Sequence, residues 1–159
     1  MSTPEVLKDL WSANDQMLRC LKKITSKTSD KRLNDILLRS QEGTAGQTVT
    51  LKELIAGSGE KVSKEHCKEM QELVAEATEH TIEEAPKKGP VLDAVIIPQY
   101  QHMTDYGIAG FGTAAACAKG LELDNEQKAF SVAVKDMYRG DDYLSEPAET
   151  TVNVDAMDK

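Results

Sequence analysis

A chain of 159 residues with 40% hydrophobic content is long enough for one domain with its own core and too apolar to stay unfolded. Its formal charge of −8 and pI near 4.9 set the surface against phosphate, and no clustered Lys/Arg stripe offers a local exception, so nucleic acid is not an expected partner. Aromatic residues make up only 4%, which leaves Leu, Ile, Val, Ala and Met to fill the core and favours packed helices over sheets.

Thr3-Pro4-Glu5 reads as an N-cap, a first-turn proline and a first-turn carboxylate, opening a helix that runs to about Ser26. Leu7, Leu10, Asn14, Met17, Leu21 and Ile24 recur at spacings of three and four, giving one apolar face with a polar interruption at Asn14. Thr28-Ser29-Asp30 restarts the chain with capping residues, and a second helix is expected as far as Gly57, where Gly-Ser-Gly supplies a C-cap and turn. Its inward face is predicted to be Leu38, Glu42, Ala45 and Val49. Gly43, Thr44, Gly46, Thr48 and Thr50 each lower helix propensity by about 0.5–1 kcal/mol relative to Ala, so tertiary packing is expected to hold this stretch in the interior.

Ser63 is the expected cap of a shorter amphipathic helix to about Glu84, with Met70, Leu73, Val74 and Ala77 inward, serving as a crossover. Pro86-Lys87-Lys88-Gly89-Pro90 breaks the chain. Val91–Lys119 then reads as a long helix with a kink expected at Pro98, and Gly120 ends it. Ile97, Gln101, Thr104, Ile108, Phe111, Ala115 and Ala118 keep the three-four rhythm, while Gly107, Gly110 and Gly112 make a thin wall that lets another helix approach closely. Asp124 with Gln127 resembles a capping box for a last helix to about Ser145, with Phe130, Ala133, Met137 and Leu144 inward and Asp136 beside that face. The organisation is all-α: a four-helix bundle with an additional short crossover helix over residues 1–145, followed by a polar tail over 146–159.

The chain contains no Walker-type loop, dinucleotide fingerprint, zinc spacing or nucleophile elbow. A helical bundle can still hold two metal ions when facing helices aim carboxylates and Glu-x-x-His pairs inward, because cations offset the desolvation and repulsion of buried carboxylates. The seam positions here offer Asn14, Glu42 with Ala45 three residues on, and Thr104, with Asp105 and Asp136 nearby. His102 and Asp105 form a helical three-spaced pair; a solvated histidine is the simpler reading, and His66 and His80 are expected on the surface. Tyr100 and Tyr106 are expected as core aromatics with outward hydroxyls. Cys20, Cys67 and Cys117 are odd in number and widely spaced, so buried reduced thiols are expected.

The segments LKDLWSANDQML, SQEGTAGQ, MQELVAEATE and DAVIIPQYQHMTDYGIAGFGT resemble the YciE/YciF family of bacterial ferritin-like proteins across nearly the whole chain to about Ser145. In that family the first segment typically reads S-A-E, the second E-x-x-H and the third E-H-Y-E-I-A-x-Y-G-T, while the fourth helix is rich in consecutive glutamates. Against that pattern Asn14 stands for a glutamate and Ala45 for a histidine; Thr104, Asp105 and Gly107 replace three further potential ligands. Lys135-Asp136-Met137 retains one acid, while Tyr106, Ile108, Ala109, Gly112 and Thr113 match. The resemblance therefore implies a ferritin-like bundle of unknown specific role, associated with stress response, non-catalytic and without a cofactor, its di-metal site reduced to remnant positions Asn14, Glu42, Thr104, Asp105 and Asp136. The alternative is a di-metal Fe or Mn oxidase or peroxide-handling protein using Glu42, Asp105 and Asp136. A homodimer is expected. No secretory signal or membrane-length apolar run is visible, which predicts a soluble cytoplasmic protein.

Overall fold

The computed structural model describes residues 3–62 and 67–147, with side chains described for 4–62 and 67–139. Four long helices, α1 (Thr3–Thr25), α2 (Lys31–Gly57), α4 (Pro90–Gly120) and α5 (Asp124–Pro147), form a bundle with a short α3 (Lys68–Thr78). No strand occurs among the described residues, in keeping with a core short of aromatics. α1 pairs with α2 and α4 with α5, α2 closes the bundle against α5, and α3 lies across α1 and α4. Its end widens into a π-helical turn, Glu79–Glu83, where a single helix to Glu84 was predicted. Here the Thr81 hydroxyl donates to the Ala77 carbonyl at 2.6 Å and is fully buried. The predicted cap Ser63, His66 and the tail beyond Pro147 lie outside the described residues.

The α1 face is as the periodicity predicts: Leu7, Leu10, Asn14, Met17, Leu21 and Ile24 are all buried. The α2 face is not. Leu38 is 44% and Val49 57% exposed, Glu42 is exposed, and the buried stripe is Leu33, Ile36, Leu37, Thr44, Leu51 and Ile55. The Leu37-Leu38 doublet admits either phase locally. Continued one turn outward, the Leu38–Val49 phase would bring Asn34 and Lys52 inward, whereas the Leu37 phase ends on Leu33, Leu51 and Ile55. The weak middle of α2 is interior only in part: Thr44 is buried, Gly46 is exposed, and the Thr48 and Thr50 hydroxyls fold back on the Thr44 and Gly46 carbonyls at 2.8 and 3.1 Å.

The connections are made by specific polar contacts. Asp30 caps α2, its carboxylate accepting from Leu33 N–H at 2.8 Å, and Gly59 at φ +80 follows the Ser58 C-cap. The buried Asp93, in the first turn of α4, accepts from the N–H groups of Ser29 and Asp30 at 2.8 and 3.0 Å and from the Ser29 hydroxyl, tying the α1–α2 connection to α4. α4 runs on through Pro98, whose ring is exposed, so the donor it lacks falls on the solvated face. Glu122, rather than Gly120, takes the left-handed conformation (φ 58) in the reversal to α5, and Leu123 N–H reaches Ala118 O at 2.8 Å.

The thin wall of α4 is used at two of its three glycines. A Cβ at Gly107 would stand 2.8 Å from Met137 Sδ, and one at Gly110 would stand 2.7 Å from Leu10 Cδ2, while Gly112 meets nothing within 4 Å. A side chain at Gly107 or Gly110 would therefore displace the end of Met137 on α5 or of Leu10 on α1, which pack into the space the two glycines leave.

Candidate functional site

At mid-bundle the inward faces do not close completely. A cavity of about 330 Å³ lies among all four long helices, with Met17 from α1, Ile36, Arg39, Ser40, Gly43, Thr44 and Gln47 from α2, Tyr100 and Thr104 from α4, and Asp136, Met137 and Arg139 from α5. Its origin is local: Gly43 carries no side chain and a Cβ there would touch nothing within 4 Å, so the glycine- and threonine-rich middle of α2 leaves space that larger residues would fill. A neighbouring groove of about 500 Å³ shares Gly43, Gln47 and Asp136 with it and extends past Glu42 and Gly46 between α2 and α5.

The predicted site residues divide between inside and outside. Asn14 is 2% exposed and Thr104 1% exposed. The Asn14 amide donates to Gln47 Oε1 at 3.3 Å, an α1–α2 side-chain pair of the register-fixing kind. Glu42, Asp105 and Asp136 are all exposed; Glu42 and Asp136 share the groove, and Asp105 lines neither opening. The placement of Glu42 on an inward face is thus corrected, because the face that buries Leu37 and Thr44 turns it outward. The donors that point inward at mid-bundle are hydroxyls and amides rather than carboxylates and imidazoles. Such a set does not fit a pair of Fe or Mn ions, which need anionic oxygen or imidazole ligands.

Tyr100 is buried with its hydroxyl turned inward, 2.7 Å from Ser40 Oγ, and so does not reach solvent as predicted. The hydroxyls of Thr44 and Thr104, on residues 3% and 1% exposed, line the cavity without a hydrogen-bond partner among the described residues. At the rim Arg39 and Arg139 are exposed, and no carboxylate pairs with either among the described residues.

A second cluster lies where α3 begins. The Cys67 N–H donates to Ser12 Oγ at 2.9 Å and Gln16 Nε2 donates to the Cys67 carbonyl at 3.1 Å, which fixes Cys67 at the N-cap of α3. Its sulfur lies 3.0 Å from the Tyr106 hydroxyl and 3.5 Å from Glu69 Oε2, and Tyr106 Oη donates to Asp9 Oδ2 at 3.3 Å. Asp9, Cys67 and Glu69 form the one group of three metal-ligating residue types with ligand atoms mutually within 4.8 Å among the described residues. Burial, offset in part by the Tyr106 hydroxyl, pushes the Cys67 thiol up, and burial together with the Cys67 and Asp9 neighbours pushes Tyr106 well above its ordinary range. The Tyr106 hydroxyl therefore points into this network rather than to water. Cys20 is buried and also raised by burial, but Cys117 is exposed, which corrects the expectation of three buried thiols. His80 and His102 are exposed as predicted, and no described helix is long and apolar enough to cross a membrane.

Sequence reasoning missed Thr44, Arg39 and Arg139, because the phase chosen for α2 hid the first two and nothing local marks the third. It also missed the Asp9–Cys67–Glu69–Tyr106 cluster, whose members are brought together only by the packing of α3 on α1 and α4.

Comparison with known proteins agrees with this architecture. The family model described as a domain of unknown function (DUF892) matches residues 4–157. The protein YciF of Escherichia coli (strain K12) is 30% identical over 155 residues, covering 97% of this chain and 92% of the relative. The crystal structure of the E. coli stress protein YciF superposes with a TM-score of 0.85 at 29% identity, covering 95% of this chain and 94% of that one. YcfI from Rhodopseudomonas palustris, described as a candidate structural protein, superposes with a TM-score of 0.81 at 26% identity, covering 91% of this chain and 94% of that one. On the family match over nearly its whole length and the identity to YciF, the chain belongs to the DUF892 family.

Proposed function

We propose that this protein is a non-catalytic helical-bundle protein of the ferritin-like type, in which the mid-bundle position of a di-metal centre has been given over to a hydrogen-bonded seam and an open cavity. The observation that carries the reading is the division of its side chains: Asn14 and Thr104 are buried and neutral, while the carboxylates of Glu42, Asp105 and Asp136 are exposed. A binding or scaffolding role follows from that donor set, and a stress-related setting is carried over from the E. coli relative described as a stress protein. Exposed Leu38 and Val49 on α2 and Val132 and Tyr138 on α5 support assembly as a homodimer, and a cytoplasmic setting is part of the same proposal.

Metal analysis tests this reading. Protein purified without chelators and incubated with Fe(II) or Mn(II), then passed through a desalting column, is expected to carry no stoichiometric ion, and a well-occupied two-metal centre overturns the proposal. Light scattering across a concentration range is expected to give twice the chain mass. The rival reading, a reduced oxidase or peroxide-handling site, is favoured by one observation: Glu42 and Asp136 face the same groove. It requires that Glu42→Ala abolish metal uptake.

A further inference from the structure

We propose that the mid-bundle cavity binds a small, largely apolar monocarboxylate that carries a hydroxyl or carbonyl group at its far end. The inference rests on the non-catalytic binding reading above and names the ligand class. Size comes first: at roughly 30 Å³ per heavy atom, 330 Å³ accommodates a molecule on the order of ten heavy atoms. Chemistry follows from the two ends of the cavity. Its inner wall presents the hydroxyls of Thr44 and Thr104 to the cavity, neither of them hydrogen-bonded to a protein group among the described residues, so a ligand hydroxyl or carbonyl finds a partner there.

At the mouth, the described lining residues include two cations, Arg39 and Arg139, and one anion, Asp136, a balance that matches one further negative charge rather than two. A carboxylate is favoured over a doubly charged phosphate on that ground, and the guanidinium fork suits its planar geometry. Between the ends Met17, Ile36, Met137 and the Tyr100 ring supply an apolar middle, as an aromatic or short aliphatic body requires.

The test titrates 4-hydroxybenzoate and, separately, benzoate into the full chain by calorimetry, with chemical-shift mapping by NMR. Saturable one-to-one binding is expected, with 4-hydroxybenzoate the tighter. Thr104→Val keeps the side-chain shape and removes the hydroxyl, so it is expected to weaken 4-hydroxybenzoate about fivefold and leave benzoate unchanged. The pair Arg39→Gln and Arg139→Gln is expected to weaken both ligands about tenfold or more. Gly43→Leu puts a side chain into the cavity from a position where a Cβ meets nothing within 4 Å, and is expected to abolish binding while leaving the melting temperature unchanged or raised. No saturable binding by the parent chain, or undiminished binding by Gly43→Leu, overturns the proposal. If the same preparation also takes up no Fe(II) or Mn(II), only the ligand assignment has failed; a stoichiometric two-metal centre overturns the underlying reading as well.

Discussion

Asp93→Ala is the perturbation whose cost the structure defines best. The carboxylate is 2% exposed and receives the N–H groups of Ser29 and Asp30 and the hydroxyl of Ser29, three donors from the connection between α1 and α2. Hydrogen bonds to a charged acceptor contribute about 1.5–3 kcal/mol each, so three amount to about 4.5–9 kcal/mol before any rehydration. Ser29 is exposed, and water can replace the lost acceptor on that side, while the Asp30 N–H lies deeper beside the α2 cap. The net loss should therefore fall near 3 kcal/mol. In a chain of 159 residues each kcal/mol moves the melting temperature by about 2–4 °C, which places the expected drop at about 6–12 °C in a calorimetric or circular-dichroism melt. Asp93→Asn retains one accepting oxygen but turns an amide N–H₂ toward the remaining donor, and should lose about two-thirds as much. An Ala variant melting within about 2 °C of the parent would refute the view that this carboxylate ties α4 to the α1–α2 connection.

Two further measurements examine packing and ionisation. Gly112→Ala adds a methyl group that meets nothing and should stabilise the chain by about 0.5–1 kcal/mol, whereas Gly110→Ala drives into the buried Leu10 and should lose about 1–2 kcal/mol relative to it; equal urea midpoints would remove the case for close approach of α1 and α4 at Gly110. Cys20, Cys67 and Tyr106 all hold their protons more tightly when folded than at their ordinary values of 9.0, 9.0 and 10.0. The native state then binds more protons than the unfolded one above about pH 9. The stability these groups contribute is complete below that pH and is lost as pH rises toward the raised folded values, by up to about 1.4 kcal/mol per pH unit for each group in its window. Urea denaturation at pH 8, 9.5 and 10.5 should show the fall, and Cys67→Ser with Cys20→Ser should flatten it; a flat parent profile contradicts the burial of these groups.

Much of the fold was legible because helix periodicity, capping residues and breaks are local signals. The α1 stripe from Leu7 to Ile24, the Asp30 cap, the break at Pro86–Pro90 and the small-residue wall of α4 were all readable from neighbouring residues. The face of α2 was not, since Leu37 and Leu38 are adjacent and only the ends of the helix decide which turns inward. That single phase choice moved Glu42 from the interior to the surface and concealed Thr44 and Arg39, so the candidate site was only partly visible even where the fold was plain.

The sequence by itself determined a helical bundle and its element order, because each depends on residue type and short-range spacing. Tertiary structure alone decided that the missing bulk at Gly43 becomes a cavity, that the Thr44 and Thr104 hydroxyls line it without a partner among the described residues, and that Tyr106, 97 residues distant in sequence, donates to Asp9 beside Cys67. The physical reason is the same in each case. Whether a small residue leaves space, or a polar atom finds a partner, depends on which helix packs opposite it, and no local pattern carries that information.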